Sequence, residues 1–204
     1  MLSDFFTKNK IHKIQLGCGP HKLNGWLNTD LTNNGDKDIF ELDVTCPRWP
    51  FEDKTFDYVF CEHMIEHITY KQAAHMLTEC FRILKPGGKI RVVTPDINFL
   101  INLYLNKEKT ENKDYIRWSI ANFTPWAPKV DPIFLFNNFM RDWGHTFIYD
   151  KASLINSLNN AGFRLVEEFD LCNSDDFELT NLENPERMPA GFLKLESMCI
   201  QGSK

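Results

Sequence analysis

Over residues 13–95 the chain is a succession of short apolar runs, and the way each one ends constrains the fold more than any other feature. Lys13-Ile14-Gln15-Leu16 runs straight into Gly17-Cys18-Gly19, which reads as a strand ending at a glycine turn. Residues 26–30 and 39–43 are strand candidates that each close on an aspartate, and 56–60 is compact and apolar enough to be buried on both faces. From residue 70 to 84, Ala73, Ala74, Leu77, Phe81 and Leu84 recur at helical spacing until Pro86-Gly87-Gly88 stops the pattern. Residues 89–94 then form a strand cut off by Pro95. Alternation of strand and crossover predicts an α/β fold with a doubly wound, mostly parallel sheet. Further on, Asp150 caps a helix that stops at Gly162, and 163–169 with 195–200 add an antiparallel edge hairpin, completing a seven-stranded sheet. The acidic stretch 175–186 is expected to be a long, mobile connection.

The 204 residues fit a single domain, 1–204, and 43% hydrophobic with 25% charged residues is ordinary globular composition. Residues 97–149 stand apart as an insertion: they are rich in aromatics and Asn, carry Pro125, Pro128 and Pro132, and are helical only in parts. Trp118, Phe123, Trp126, Phe134, Phe136, Phe139 and Trp143 either line an acceptor pocket or lid, or build a satellite core or a homodimer face. A net charge of −5 gives no broad footprint for nucleic acid or anionic lipid, so no nucleic-acid partner is expected. No stretch approaches a membrane span, and the opening residues lack the apolar core of a signal peptide. Cysteines scattered without a CxxC pair point to a reducing, cytoplasmic setting.

In an open α/β sheet, ligands bind outside the carboxyl ends of the strands where strand order reverses. Here those ends carry Gly17 and Gly19, which let backbone approach a ligand, and Asp30, whose two oxygens suit a ribose diol. Asp43, with the Val44 backbone beside it, is placed to accept from an exocyclic amine such as that of adenine. Together they point at a nucleoside.

The segments KIQLGCG, NTD, ELDVT, FDYVFCEHMIEHI, CFRILKPGGKIRVVTPD and LNNAGF follow, in order, the motifs of class I S-adenosylmethionine-dependent methyltransferases, and the chain most resembles the small type 11 group. The resemblance implies S-adenosyl-L-methionine as cofactor. By position it puts the methionine moiety on Gly17, Cys18 and Gly19, the ribose on Asp30 with Leu31, and the adenine on Asp43 with Val44. Glu62 and His63 would face the methionine end. It implies methyl transfer to an acceptor, a small molecule or glycan, and no metal. One departure stands out: only ten residues separate Gly19 from Asp30, so the first crossover helix is expected to be absent or nearly so. That departure favours an alternative in which the chain is a non-catalytic, cofactor-binding pseudo-methyltransferase.

Candidate proton acceptors are His145, His63 and Asp96. Asp96 can equally cap the helix that follows it. His63-x-x-Glu66-His67 also fits an inverted zinc-hydrolase motif, in which two His one helical turn apart bind the metal. No third ligand follows it on a helix, so no stoichiometric zinc is expected.

Overall fold

The breakers at the strand ends set where the chain leaves its sheet. A computed structural model describes residues 2–204. After the helix α1 (Leu2–Lys8), the strands β1 (Lys13–Leu16), β2 (Leu27–Asp30), β3 (Ile39–Glu41) and β4 (Phe56–Glu62) follow with no α-helix between them. Helix α2 (Tyr70–Ile83) leads into β5 (Leu84–Pro95), and then come α3 (Ile97–Leu105), α4 (Thr110–Phe123), α5 (Pro132–Arg141) and α6 (Lys151–Ala161). Strand β6 (Arg164–Phe169), helix α7 (Phe192–Glu196) and strand β7 (Ser197–Ser203) complete the chain. The seven strands make one sheet in the order β3-β2-β1-β4-β5-β7-β6. β1 to β5 run parallel, and β7 is antiparallel to both of its neighbours. Order reverses between β1 and β4, so the carboxyl ends of these two strands flank the crevice where a ligand fits.

Capping marks the helices as the sequence suggests. Thr69 and Gln72 form a reciprocal capping box on α2, Asp150 accepts from the Ser153 N–H at 2.7 Å at the start of α6, and Gly162 ends α6 at φ +112°. α2 and α6 bury Leu77, Cys80, Leu154 and Leu158 against Ile14, Val59, Ile90 and Val92 on one face of the sheet, with Phe5 and Phe6 of α1 packed at its edge.

The other face is closed differently. Residues 17–26 cross from β1 to β2 without a helix, held by Asn28, which accepts from the Leu23 N–H at 2.9 Å and donates to the Leu23 carbonyl at 3.1 Å. Phe60, Val93 and Cys199 on that face pack with Trp26 from this loop and with Leu179 and Leu182 from the β6–β7 connection. Irregular chain from late in the sequence thus covers the surface that a first crossover helix would cover. Leu179 and Leu182 are buried, and Glu183 forms a fully buried ion pair with Arg91. The expectation of a mobile connection over 175–186 is therefore corrected: its leucines belong to the core. The last strand also begins at Ser197 and not at 195, because residues 192–196 are spent on α7.

The insertion 97–149 has an apolar core of its own. Phe99, Leu103, Tyr115, Ile116, Leu135 and Phe139 bring α3, α4 and α5 together, and Phe192 and Leu195 of α7 pack onto them. Among the described residues no helix is long and apolar enough to cross a membrane.

Candidate functional site

The glycine turn after β1 forms one wall of a cavity of about 500 Å³ at the carboxyl ends of the strands, well inside the range for cofactor sites. Gly17 sits at φ +63° and Gly19 at +50°, left-handed conformations that favour glycine. A Cβ on Gly17 would lie 2.4 Å from Cγ of Met64, whereas one on Gly19 would meet no atom within 4 Å. Gly17 is thus required both by the turn and by Met64, which follows β4 and closes over it.

Asp30 at the end of β2 braces this turn. Its Oδ2 accepts from the Gly19 N–H and its Oδ1 from the Leu31 N–H, both at 2.7 Å. Each oxygen keeps a second lone pair free for a hydroxyl. Asp43 accepts from the Thr45 hydroxyl at 2.7 Å and the Thr45 N–H at 2.8 Å, and these bonds hold its carboxyl below the ordinary value. Buried Leu42 and Val44 flank it, with Ile68 and Met64 also on the cavity wall.

Of the residues singled out in the sequence, Gly17, Gly19, Asp30, Leu31, Asp43, Val44 and His63 line this cavity. Cys18 does not: its buried Sγ lies 3.4 Å from the Gly19 carbonyl, and burial pushes the thiol up to about 11. Glu62 does not either; its Oε1 accepts from the Asn184 N–H at 3.4 Å, and burial raises its pKa. Leu42, Thr45, Met64, His67 and Ile68 complete the lining. All five sit inside recognised motifs, and Met64 and His67 reach the cavity because the chain after β4 folds into a tight turn.

A second cavity of about 250 Å³ adjoins the first, with His63 lining both. Its walls are aromatic side chains of the insertion, Tyr115, Trp118, Phe123, Phe139 and Trp143, and its polar rim is His145, Arg187 and Glu196. Glu196 is buried and accepts from the Tyr115 hydroxyl, and burial raises its pKa. The insertion therefore serves both as satellite core and as groove wall. Trp126 takes no part in the groove: it is 67% exposed and packs edge-on against Phe134.

Residues 65–67 form a 3-10 turn, so the His63-x-x-Glu66-His67 motif lacks the helix that the zinc-hydrolase reading requires. His63 directly follows β4 at φ +48°, with its N–H donating to the Val93 carbonyl at 2.8 Å. Its Nε2 lies 2.8 Å from Ser197 Oγ and its Nδ1 3.3 Å from Glu66 Oε1, so both ring nitrogens face protein partners. Burial opposes ionisation of Glu66, but the imidazole of His63 beside it, aided by His67, outweighs burial and brings its pKa below the ordinary value. Asp96 caps α3, accepting from the Asn98 N–H at 2.9 Å, and lines neither cavity. At His145, Nδ1 donates to the Phe139 carbonyl at 2.8 Å, and burial lowers its pKa, which leaves a lone pair on Nε2.

Residues 27–92 match the type 11 family described as a methyltransferase domain. An uncharacterised protein of Methanocaldococcus jannaschii is 46% identical over 52 residues, which make up 26% of this chain and only 22% of that protein. Among solved structures, a methyltransferase of Archaeoglobus fulgidus dependent on S-adenosylmethionine superposes with a TM-score of 0.56 at 17% identity, over 100% of this chain and 90% of that one. A Haloferax volcanii structure, a methyltransferase in complex with the Trm112 methyltransferase activator, gives a TM-score of 0.53 at 13% identity, covering 99% of this chain and 88% of that one. At such identities the structural likeness is one of fold. Across the core of its sheet the chain is thus similar to a methyltransferase domain, and its fold is the one that S-adenosylmethionine-dependent methyltransferases share.

Proposed function

We propose that the chain transfers a methyl group from S-adenosylmethionine to a small-molecule or glycan acceptor held in the aromatic groove. The observation that carries this reading is the junction of the two cavities at His63, a donor-sized cavity opening beside a groove walled by the insertion. The residues of the first cavity fit the cofactor: Gly19 leaves open space above its backbone, Asp30 keeps lone pairs for a diol, and Leu42 and Val44 add apolar wall. Bound there, S-adenosylmethionine supplies an electrophilic methyl group. The chain's own residues then have mainly to orient the acceptor and keep water out, because effective concentration accounts for much of such a displacement. Trp118, Phe139 and Trp143 wall the groove, and His145, whose Nε2 keeps a lone pair, lines it as well. Six unpaired cysteines, of which Cys18, Cys61, Cys80 and Cys199 are buried, support a reducing, cytoplasmic setting.

Calorimetry with S-adenosylmethionine and S-adenosylhomocysteine, followed by methyl transfer to a panel of hydroxyl- and amine-bearing metabolites and sugars, tests the proposal. Absence of binding by both nucleosides would refute it, and binding without transfer to any acceptor would favour the non-catalytic reading. Gly17→Ala should weaken S-adenosylhomocysteine binding by more than about tenfold, since its Cβ drives Met64 toward the cavity and its φ is strained. Trp143→Ala should leave that affinity within about threefold, a change below ~1 kcal/mol, while transfer falls by well over tenfold. Loss of both donor binding and thermal stability in Trp143→Ala would make the aromatic cluster structural and not an acceptor wall.

A further inference from the structure

We infer that Glu66, His67 and His145 form a binding site for one divalent transition-metal cation at the junction of the two cavities. The Glu66 carboxylate and one nitrogen of each imidazole lie within 4.8 Å of one another. A tetrahedral cation with ligands at about 2.0–2.1 Å sets them roughly 3.3 Å apart, so binding draws the three groups closer together. The third ligand missing from the local motif is thus supplied from 78 residues further along the chain, by a segment clipped to the motif. The Thr146 and Phe147 N–H groups both donate to the Glu66 carbonyl, at 2.7 and 3.1 Å, and the Thr146 hydroxyl donates to the His67 carbonyl at 3.0 Å.

Two further observations point to a ligand. Glu66 is fully buried, its Oε2 accepts from the Thr94 hydroxyl at 3.0 Å, and its Oε1 has no aligned hydrogen-bond donor, with His63 Nδ1 at ion-pair distance only. A buried carboxylate oxygen left so is rare and costly, and a cation satisfies it. At His145 the bond from Nδ1 to the Phe139 carbonyl is the outer-shell arrangement that fixes tautomer and ring orientation in metal-binding histidines. Two imidazoles and a carboxylate suit zinc, cobalt, manganese or iron in the divalent state better than magnesium or calcium, and three protein ligands leave a coordination position open.

His67 lines the donor cavity and His145 the aromatic groove, so the open position faces the place where donor and acceptor meet. A cation there binds an acceptor oxygen and acidifies its hydroxyl, with the proton leaving to solvent. This role rests on the methyl-transfer reading; the binding of metal does not.

The test uses the whole chain, stripped of metal by chelation and titrated with Co²⁺ by visible absorbance and with Zn²⁺ by calorimetry. Uptake of one cation per chain is expected, weakened at least about 100-fold in both His67→Ala and His145→Ala and unchanged in His75→Ala, a half-buried histidine outside the cluster. Thermal melts establish that the variants are folded. S-adenosylhomocysteine affinity should stay within about threefold in His145→Ala, because that residue lies outside the donor cavity. No stoichiometric uptake by the parent chain, or uptake retained in both folded variants, overturns the site. Uptake with the expected variant pattern but no nucleoside binding keeps the metal site and removes the methyl-transfer reading.

Discussion

Glu183→Ala is expected to lower stability by about 3–5 kcal/mol, because it leaves the Arg91 guanidinium buried without its counter-charge. Both side chains are 0% exposed, with Arg91 Nε at 2.6 Å and Nη2 at 2.5 Å from Glu183 Oε1. Arg91 also donates to the carbonyls of Asn173 at 2.9 Å and Asp170 at 3.3 Å, while Glu183 Oε2 accepts from the Cys172 N–H at 2.9 Å. One ion pair thereby pins the β6–β7 connection to the centre of β5. For a chain of this size each kcal/mol shifts the melting temperature by about 2–4 °C, so a drop of roughly 6–20 °C should appear in thermal circular dichroism. Arg91→Met combined with Glu183→Leu should recover most of it, since a well-packed apolar pair often equals a buried ion pair. A melt of Glu183→Ala within 2 °C of the parent, well inside that ~6 °C lower bound, would show that the connection is not held in this way.

The second large effect falls on cofactor binding. Asp30→Ala should weaken S-adenosylhomocysteine binding by about 10–100-fold, roughly 1–3 kcal/mol. Two losses combine: the ribose diol loses its acceptor, and the Gly19 and Leu31 N–H groups lose the carboxylate that fixes the glycine turn. Asp30→Asn distinguishes them, because an amide retains one acceptor oxygen but cannot serve both N–H groups. Asp43→Ala should cost less, since its carboxylate is occupied locally by Thr45 and its apolar neighbours remain. Equal titration curves for Asp30→Ala and the parent would remove Asp30 from the donor site.

The strand ends of the first half were legible because their signals are local. Gly17 and Gly19 mark a turn, Asp30 and Asp43 close apolar runs, and the capping box at Thr69 and the stop at Gly162 delimit helices by their own neighbours. Local signals did not fix the side-chain directions of Cys18 and Glu62. Each sits within a recognised motif, but one is buried and the other turns toward Asn184, and side-chain direction at a strand end depends on a twist that no short segment encodes. Trp126 and Trp143 look alike in an aromatic-rich stretch, yet only Trp143 faces the groove.

The sequence by itself determined the order of elements, the position of the glycine turn and the acids that line the larger cavity, because each follows from propensities and breakers acting over a few residues. Only the tertiary structure decided what closes the second face of the sheet and what meets Glu66 and His67. Leu179 and Leu182 take the place of a missing crossover helix, Arg91 and Glu183 join across 92 residues, and His145 arrives beside His67 through bonds from Thr146 and Phe147. Such pairings carry no local signature. They arise because buried apolar surface and buried charge must find partners somewhere in the fold, and which partners come within reach is set by packing of the whole chain.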